Sequence, residues 1–243
     1  MQRIFFPDIN SGTTNLSIFD KETVHFLSNV LRLDAGNQIN IFDGKGKEFC
    51  ARIKKIDRKK VTIEIISSKD MAKTCGLNIT LACAIPKKAK LDYIIEKTTE
   101  LGVDRIIPMI TERTIVSLDE KTSLSKLNRW KTIGEEASRQ SHRALLPQIE
   151  KASKFSEVLK EVRLFDLAII GCLYDEREDL SGILKSFKGK SVLALIGPEG
   201  DFSSREINQA RQAGCIAVEF TDTVLKVDTA AIYLVSVLKF AKR

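Results

Sequence analysis

The densest chemical signal in the sequence is Leu195-Ile196-Gly197-Pro198-Glu199-Gly200-Asp201-Phe202-Ser203, an apolar run that enters a glycine-proline turn and then a capped helix. In an open α/β sheet a ligand belongs at this carboxyl end of a strand. The two glycines let the backbone approach a ligand closely and Pro198 stiffens the loop, so main-chain amides and carbonyls can read a small polar molecule. A plain βα turn is the competing reading of the local pattern. No Gly-Lys-Ser/Thr follows, and the Gly-x-Gly-x-x-Gly of dinucleotide folds is missing, which argues against ordinary ATP and NAD chemistry. A second segment, Leu225-Lys226-Val227-Asp228-Thr229-Ala230-Ala231, places Asp228 and Thr229 to cap a very apolar C-terminal helix, and capping alone accounts for both. A third runs from Arg129-Trp130 through Glu135-Glu136-Ala137 to Arg139-Gln140-Ser141-His142-Arg143 and Pro147. It gathers polar side chains near one helix end, with a solvated charged face as the competing reading.

The elements that must position these residues fall into two patterns. The first seventy residues read as short strands, Arg3–Phe6, Gln38–Phe42, Lys47–Ile53 and Val61–Ile66, with Asp43-Gly44-Lys45-Gly46 as a hairpin turn. One helix interrupts them, starting near Asp20 with Val24, Leu27, Val30 and Leu31 on one side. A small, partly open β-barrel follows. The aperiodic, polar stretch Ser67–Thr74 reads as a linker, giving domains 1–70 and 75–243. Beyond it apolar runs alternate with amphipathic segments, the signature of parallel strands covered by helices. The strands are Ile79–Ala84, Arg105–Met109, Leu167–Gly171, Val192–Ile196 and Ala217–Phe220. The helices are near Leu91–Leu101, Leu124–Ser141, Phe155–Val162, Ser203–Ala213 and Thr229–Lys242. Ser203 with Glu206 forms a capping box, and Gly102 and Gly214 sit where helices end. The fold class is α/β with an N-terminal β domain.

Composition narrows the function classes. A hydrophobic fraction of 43% beside 29% charged residues fits a chain with a sizeable core and excludes collagen-like and globally disordered classes. No apolar run is long enough to span a membrane, and the opening Met-Gln-Arg-Ile-Phe-Phe-Pro is unlike a signal peptide, so a cytoplasmic protein with no membrane partner is expected. The net charge of +7 suits a polyanionic partner, although mildly basic proteins are common. The excess divides as 12 basic against 9 acidic residues up to position 70 and 27 against 23 after it, so neither half is a basic tail. Five cysteines without a Cys-x-x-Cys pair read as free thiols. With only two histidines and no Cys/His cluster, no metal site is expected.

Taken in order, these segments resemble the RsmE family of 16S ribosomal RNA (uracil-N3)-methyltransferases. Gly197-Pro198-Glu199-Gly200 followed by Leu225-to-Ala230 looks like that family's paired cofactor loops. The His25-to-Arg32 helix with Val30-Leu31-Arg32, the Phe42-Asp43-Gly44 turn, Glu100-Leu101-Gly102-Val103 with Pro108, and the Trp130/Glu136-Ala137/Gln140-Ser141/Arg143 segment follow the same order. The resemblance implies a PUA-like RNA-binding barrel and a SPOUT-class domain with a deep trefoil knot, a feature against which the general prior on folds is strong. It implies S-adenosyl-L-methionine as cofactor, a homodimer, and 16S rRNA of the small ribosomal subunit as partner. The cofactor site it implies comprises Leu173, Ile196, Gly197, Pro198, Glu199, Gly200, Phe220, Leu225, Asp228, Thr229 and Ala230, with Leu173, Ile196 and Leu225 enclosing the adenine. The sequence departs from the family pattern at Asp201 and Thr221, where glycines are usual, at Lys226 for Arg, and at Asp228 for Glu. A position needing positive φ would penalise Asp or Thr.

For a methyl donor that is already a strong electrophile, the protein's tasks are to align the methyl with the uracil nitrogen and to favour the anion of that nitrogen. A cation near the uracil oxygens would do the second. Arg143 is the first candidate and Lys226 the second; His142, of a type that titrates near neutrality, is a candidate base with surface placement as the competing reading. Phosphate contacts are expected from Arg3, Arg32, Lys54, Lys55, Lys59 and Lys60 with Arg58 in the first domain, and from Lys87, Lys88 and Lys90 in the second. Phe5 and Phe6 are candidate base-stacking residues, at least one of them expected in the core. The alternatives are a SPOUT-type 2′-O-ribose methyltransferase and a non-catalytic RNA-binding protein with a degenerate cofactor loop.

Overall fold

The computed structural model describes residues 2–10, 12–71, 76–87, 90–114, 120–174 and 176–241. It divides into two compact units, Met1–Thr74 with Ser138–Leu146, and Cys75–Ala137 with Pro147–Arg243.

The first unit is built from β1 (Gln2–Phe5), β2 (Asn15–Ile18), helix α1 (Lys21–His25), β3 (Gln38–Phe42), β4 (Lys47–Ile56) and β5 (Val61–Asp70). They form one sheet in the order β1-β3-β4-β5-β2, with β1 parallel to β3 and the other pairs antiparallel. Period-two alternation sends Ile39 and Ile41 of β3 and Phe49, Ala51 and Ile53 of β4 into a core with Ile18, Leu27 and Ile63. Register shifts at Cys50/Ala51 and Ile53/Lys55 mark irregularities of the bulge kind, which bend a strand. In the β3–β4 turn, Asp43 Oδ1 accepts from the amides of Lys45 (2.7 Å) and Lys47 (2.9 Å). Gly44 adopts φ +74°, and a Cβ there would lie 2.8 Å from the Phe5 ring, so the turn needs glycine on both counts. Asp20 caps α1 by accepting from Thr23 N at 2.8 Å; the helix then widens into a π-helical turn, Phe26–Val30, and leaves Arg32 left-handed at φ +51°.

The sequence reading is corrected at one segment and lacks one strand. Ser67–Asp70 is strand rather than linker: β5 continues, and Cys50↔Ser67 through Lys47↔Asp70 satisfy its backbone although the side chains are polar. Strand β2 carried no clear alternation in the sequence and forms by pairing with β5. Residues 72–74 of the expected linker lie outside the described residues.

The second unit contains β6 (Asn78–Ala84), α2 (Lys90–Glu100), β7 (Arg105–Ile110), α3 (Glu120–Gln140), β8 (Gln148–Ile149), β9 (Ser153–Lys154), α4 (Phe155–Leu159), β10 (Leu167–Gly171), β11 (Glu178–Asp179), α5 (Leu180–Ser186), β12 (Ser191–Ile196), α6 (Ser204–Ala213), β13 (Ile216–Glu219) and α7 (Val227–Phe240). The end of α3 groups with the first unit. The sheet order is β11-β13-β10-β12-β6-β7-β8, with β9 beside β7, and every pair is parallel. Both faces are covered, which is why the central strands read as continuous apolar runs. Leu81, Cys83, Ala194 and Ile196 face α2 and α7 residues such as Ile94 and Leu234. The alternate Ala82, Leu193 and Leu195 face Phe155 of α4 and Ile207 of α6.

The capping box of α6 is in place, with Ser203 Oγ accepting from Glu206 N at 3.2 Å and Glu206 Oε2 accepting from Ser203 N at 2.9 Å. Helix α5, capped by Asp179, went unread in the sequence because its seven residues are too few to display a period. The expected helix Phe155–Val162 divides into α4 and a 3₁₀ turn, Val162–Leu164. Helix α7 starts at Val227, two residues before the expected Thr229. Asp228 and Thr229 are therefore inside its first turn rather than at its cap, where Asp228 still complements the positive end of the helix dipole. Its expected end, Lys242, lies outside the described residues.

Candidate functional site

Three strands of the second unit end at one place. The segments following β10 (Cys172-Leu173), β12 (Gly197 to Asp201) and β13 (Phe220 to Lys226) surround a cavity of about 300 Å³. It sits at the carboxyl ends of parallel strands, as α/β ligand sites do, and its volume is at the lower end of the range for small-molecule sites. Apolar Leu173, Ile196, Phe220, Leu225 and Ala230 line it together with Gly197, Pro198, Glu199 and Lys226. Gly171 permits the closeness: a Cβ there would meet the Phe220 ring at 2.8 Å.

The sequence candidates divide on this cavity. Leu173, Ile196, Gly197, Pro198, Glu199, Phe220, Leu225, Lys226 and Ala230 line it; Gly200, Asp228 and Thr229 do not. Gly200 has instead the Arg113 side chain beside it, and its carbonyl accepts from Arg113 Nη1 at 2.5 Å. Asp228 lies 3.7 Å from Lys90 Nζ, and its buried Oδ1 has no hydrogen-bond donor. Glu199 Oε1 accepts from Lys87 N at 3.1 Å, tying the β12 loop to the segment after β6. Burial, with a contribution from Glu199 and Asp228, pushes the Cys83 thiol up to about 12, so it stays protonated and is no nucleophile.

Arg177, Asp201 and Glu219 line the cavity and were not among the sequence candidates. Arg177 stands in an aperiodic stretch and Glu219 ends a strand, so neither carries a pattern; Asp201 stood out only as a substituted glycine. It adopts φ +61°, the strained region expected of that position. Arg143 is not among the lining residues; it belongs to Ser138–Leu146, grouped with the first unit, where its amide donates to Ser138 O at 2.9 Å. His142 is exposed, with φ +59°.

In the first unit Arg3 turns inward, contrary to its placement as a phosphate contact. It is 5% exposed, with Nη1 donating to Ser138 O (2.9 Å), Nε to Glu48 (3.2 Å), and its guanidinium 4.0 Å above the Phe42 ring. Nε and Nη1 are spent inside the fold and Nη2 is buried without a hydrogen-bond partner, so no donor faces solvent. Arg32, Lys54, Lys55, Arg58 and Lys59 are exposed, Lys60 half-buried, and Lys54 pairs with Glu64 at 2.9 Å. Asp57 Oδ1 accepts from the amides of Lys59 and Lys60, each at 3.0 Å, so the carboxylate shapes the turn that presents these cations. Lys87 is exposed, Lys90 half-buried, and Lys88 lies outside the described residues. Phe5 packs on Phe42 with ring centroids 5.3 Å apart and Phe6 against the core; the solvent-facing aromatic is Phe19, 65% exposed with Lys60 Nζ 5.8 Å from its ring centre.

Residues 73–239 match the family model described as an RNA methyltransferase domain, and residues 19–66 match the one described as an RNA methyltransferase PUA domain. Fold and site thus define a two-part RNA methyltransferase: a PUA-like unit joined to a parallel-sheet methyltransferase domain. A Bacillus subtilis protein named ribosomal RNA small subunit methyltransferase E is 29% identical over 226 residues, 90% of this chain and 88% of that one. A Synechocystis protein of the same name is 30% identical over 209 residues, 85% of this chain and 67% of that one. The crystal structure of a Neisseria gonorrhoeae ribosomal RNA small subunit methyltransferase E bound to S-adenosyl methionine superposes with a TM-score of 0.88 at 28% identity, covering 99% of this chain and 97% of that one. The chain belongs to the ribosomal RNA small subunit methyltransferase E family. Among the described residues no helix is long and apolar enough to cross a membrane, and no group of metal-ligating side chains occurs.

Proposed function

We propose that this protein uses S-adenosylmethionine to methylate N3 of one uridine in the 16S RNA of the small ribosomal subunit. The observation that carries the reading is the convergence of the Gly197–Asp201 and Phe220–Lys226 segments on one cavity at the ends of parallel strands, in a chain of this family. The residues suit the cofactor. Leu173, Ile196 and Leu225 offer apolar walls for a planar base, and close-packed Gly171 and Gly197 bring main chain to the rim. Glu199, Glu219 and Asp222 place carboxylates around a ligand that carries a sulfonium and an ammonium. When bound, the cofactor supplies an electrophilic methyl group.

The chain's own residues then have two tasks. Leu173, Ile196, Phe220 and Leu225 would hold the cofactor and fix its orientation toward the uracil, so that orientation replaces a bimolecular encounter. A cation favours the uracil anion by attracting the charge that spreads onto its oxygens. Lys226, which lines the cavity, serves in this second task, and Arg143 is the other candidate. If Arg143→Ala keeps cofactor affinity and transfers methyl at the wild-type rate, Arg143 has no part in it. The exposed Lys54, Lys55, Arg58 and Lys59 of the PUA-like unit hold RNA phosphates, with Lys60, Arg32 and Lys87.

The sheet of the first unit closes as a partly open barrel, a reading supported by its two register shifts. The methyltransferase domain carries a trefoil knot, supported by the strand order β13-β10-β12-β6, in which β13 lies beyond β10 from its chain predecessor β12. The working unit is a homodimer in the cytoplasm. Tyr93 (48% exposed) on α2 and Phe240 (81%) on α7, helices that pack on each other, supply apolar surface for pairing.

The test is incubation of the protein and S-adenosylmethionine with small subunits from a strain lacking this activity, followed by mass-spectrometric mapping of nucleosides. One new 3-methyluridine is expected. A ribose-methylated nucleoside would point to the 2′-O alternative, and absence of both methylation and cofactor binding would leave a non-catalytic RNA-binding protein.

A further inference from the structure

Leu173 lies just beyond the end of β10 and lines the cavity, and both of its main-chain polar groups are held by side chains from other segments. Asp201 Oδ2 accepts from the Leu173 N–H at 3.1 Å, and Arg177 Nη1 donates to the Leu173 carbonyl at 2.5 Å. Each holder is itself anchored. Asp201 Oδ1 accepts from Phe202 N at 2.8 Å, and the Asp201 N–H donates to Pro198 O at 2.9 Å. Arg177 Nε donates to Glu219 Oε2 at 2.9 Å, the last residue of β13. The peptide groups of one wall residue are thereby linked to the loop after β12 on one side and to β13 on the other.

Asp201 makes its part of this bracket from the left-handed region, φ +61°, where a glycine would sit without strain and a side chain does not. Both carboxylate oxygens accept from backbone amides, interactions that are stronger for an ionised acceptor than for a neutral one. A residue that is strained and spends both oxygens on neighbouring amides has a positional task. Ligand affinity rises when a wall is set before the ligand arrives, because the ordering cost is already met.

We propose that Asp201 and Arg177 are positioning residues that bracket Leu173 and preset it as the wall against which the adenine of S-adenosylmethionine lies. The proposal rests on the cofactor reading above. It assigns to this chain a side-chain clamp where a glycine would leave the loop to be ordered by the ligand itself. Both residues line the cavity, and the role assigned to them is exerted through Leu173.

The experiment combines titration calorimetry with S-adenosylmethionine and amide hydrogen exchange of the free protein, on wild type, Asp201→Gly, Arg177→Ala and the double variant. Asp201→Gly relieves the backbone strain while removing the clamp, so fold and affinity are expected to part. The thermal midpoint stays within about 3 °C, while the Kd rises about tenfold and the Leu173 amide loses at least tenfold of its protection. Because both side chains act on one residue, the double variant loses less affinity than the product of the single losses. Wild-type affinity and wild-type Leu173 protection in Asp201→Gly would overturn the proposal, as would strictly multiplicative losses in the double variant. If the wild-type protein itself binds no S-adenosylmethionine, the cofactor reading fails. The bracket is then decided by the exchange at Leu173 alone, where unchanged protection in Asp201→Gly overturns it and lost protection upholds the clamp.

Discussion

Replacing Gly171 by alanine separates the needs of the fold from those of the ligand. A Cβ at this position would lie 2.8 Å from both Cε2 and Cζ of Phe220, and 3.7 Å from the Leu195 carbonyl. Ordinary carbon contacts are about 3.5–4.0 Å, so the Phe220 ring must retreat by roughly 1 Å. The ring is half-buried and lines the cavity, so it has somewhere to go, and the overpacking cost falls at the low end of its usual range, about 1 kcal/mol. For a chain of this size that lowers Tm by about 2–4 °C. In a cavity of about 300 Å³ the same retreat removes ligand contacts, and a loss of about 1.4 kcal/mol raises the Kd for S-adenosylmethionine tenfold. Gly197→Ala is the control with the opposite balance. Its Cβ would meet the Phe202 ring at 3.0 Å and the Phe202 amide at 3.2 Å, and Phe202 is 4% exposed, so nothing yields and the fold loses about 2–3 kcal/mol. Calorimetry for affinity and thermal melts for stability read the two variants. A Gly171→Ala protein that binds within twofold of wild type would show that Phe220 is not a wall the ligand uses.

Three further outcomes are expected. Arg3→Ala removes a buried guanidinium and takes from Glu48 its Arg3 partner, destabilising the first unit by about 3 kcal/mol in urea melts while leaving the salt dependence of RNA binding where it was. Neutralising Lys54, Lys55 and Lys59 together weakens RNA binding and reduces the slope of log K against log salt by about 2 to 3; an unchanged slope removes this hairpin from the RNA contact. Burial pushes the Cys83 and Cys215 thiols up to about 12 from an ordinary value of 9, so the folded chain keeps two protons that the unfolded chain releases above pH 9. The contribution is whole below pH 9 and is lost as pH rises toward 12. Urea midpoints should fall between pH 8.5 and 10.5, and the fall should shrink in Cys83→Ala/Cys215→Ala; an equal fall in the variant contradicts the burial argument.

What the sequence made legible is what local chemistry decides. The alternation of β3 and β4, the apolar runs of β10 and β12, the Ser203–Glu206 box and the Asp43–Gly44 turn each follow from neighbours within a few residues, and each was read. The loop after β12 is legible because glycine, proline and a strand end coincide there, whereas the segments after β10 and β13 follow only from the family resemblance. What stayed hidden depends on partners far along the chain. Arg3 looked like one more surface cation, and only the return of residues 138–146 to the first unit gives its Nη1 a carbonyl 135 positions away. Arg177 had no pattern, because its meaning is the Leu173 carbonyl and a Glu219 that stands 42 residues on. Asp201 looked like damage to a glycine loop, and the strain the sequence foretold is present at φ +61°. What the sequence could not convey is the amide of Leu173, 28 residues earlier, waiting for the carboxylate. A substitution that breaks a local rule is therefore read wrongly as decay until the long-range acceptor or donor it satisfies is known.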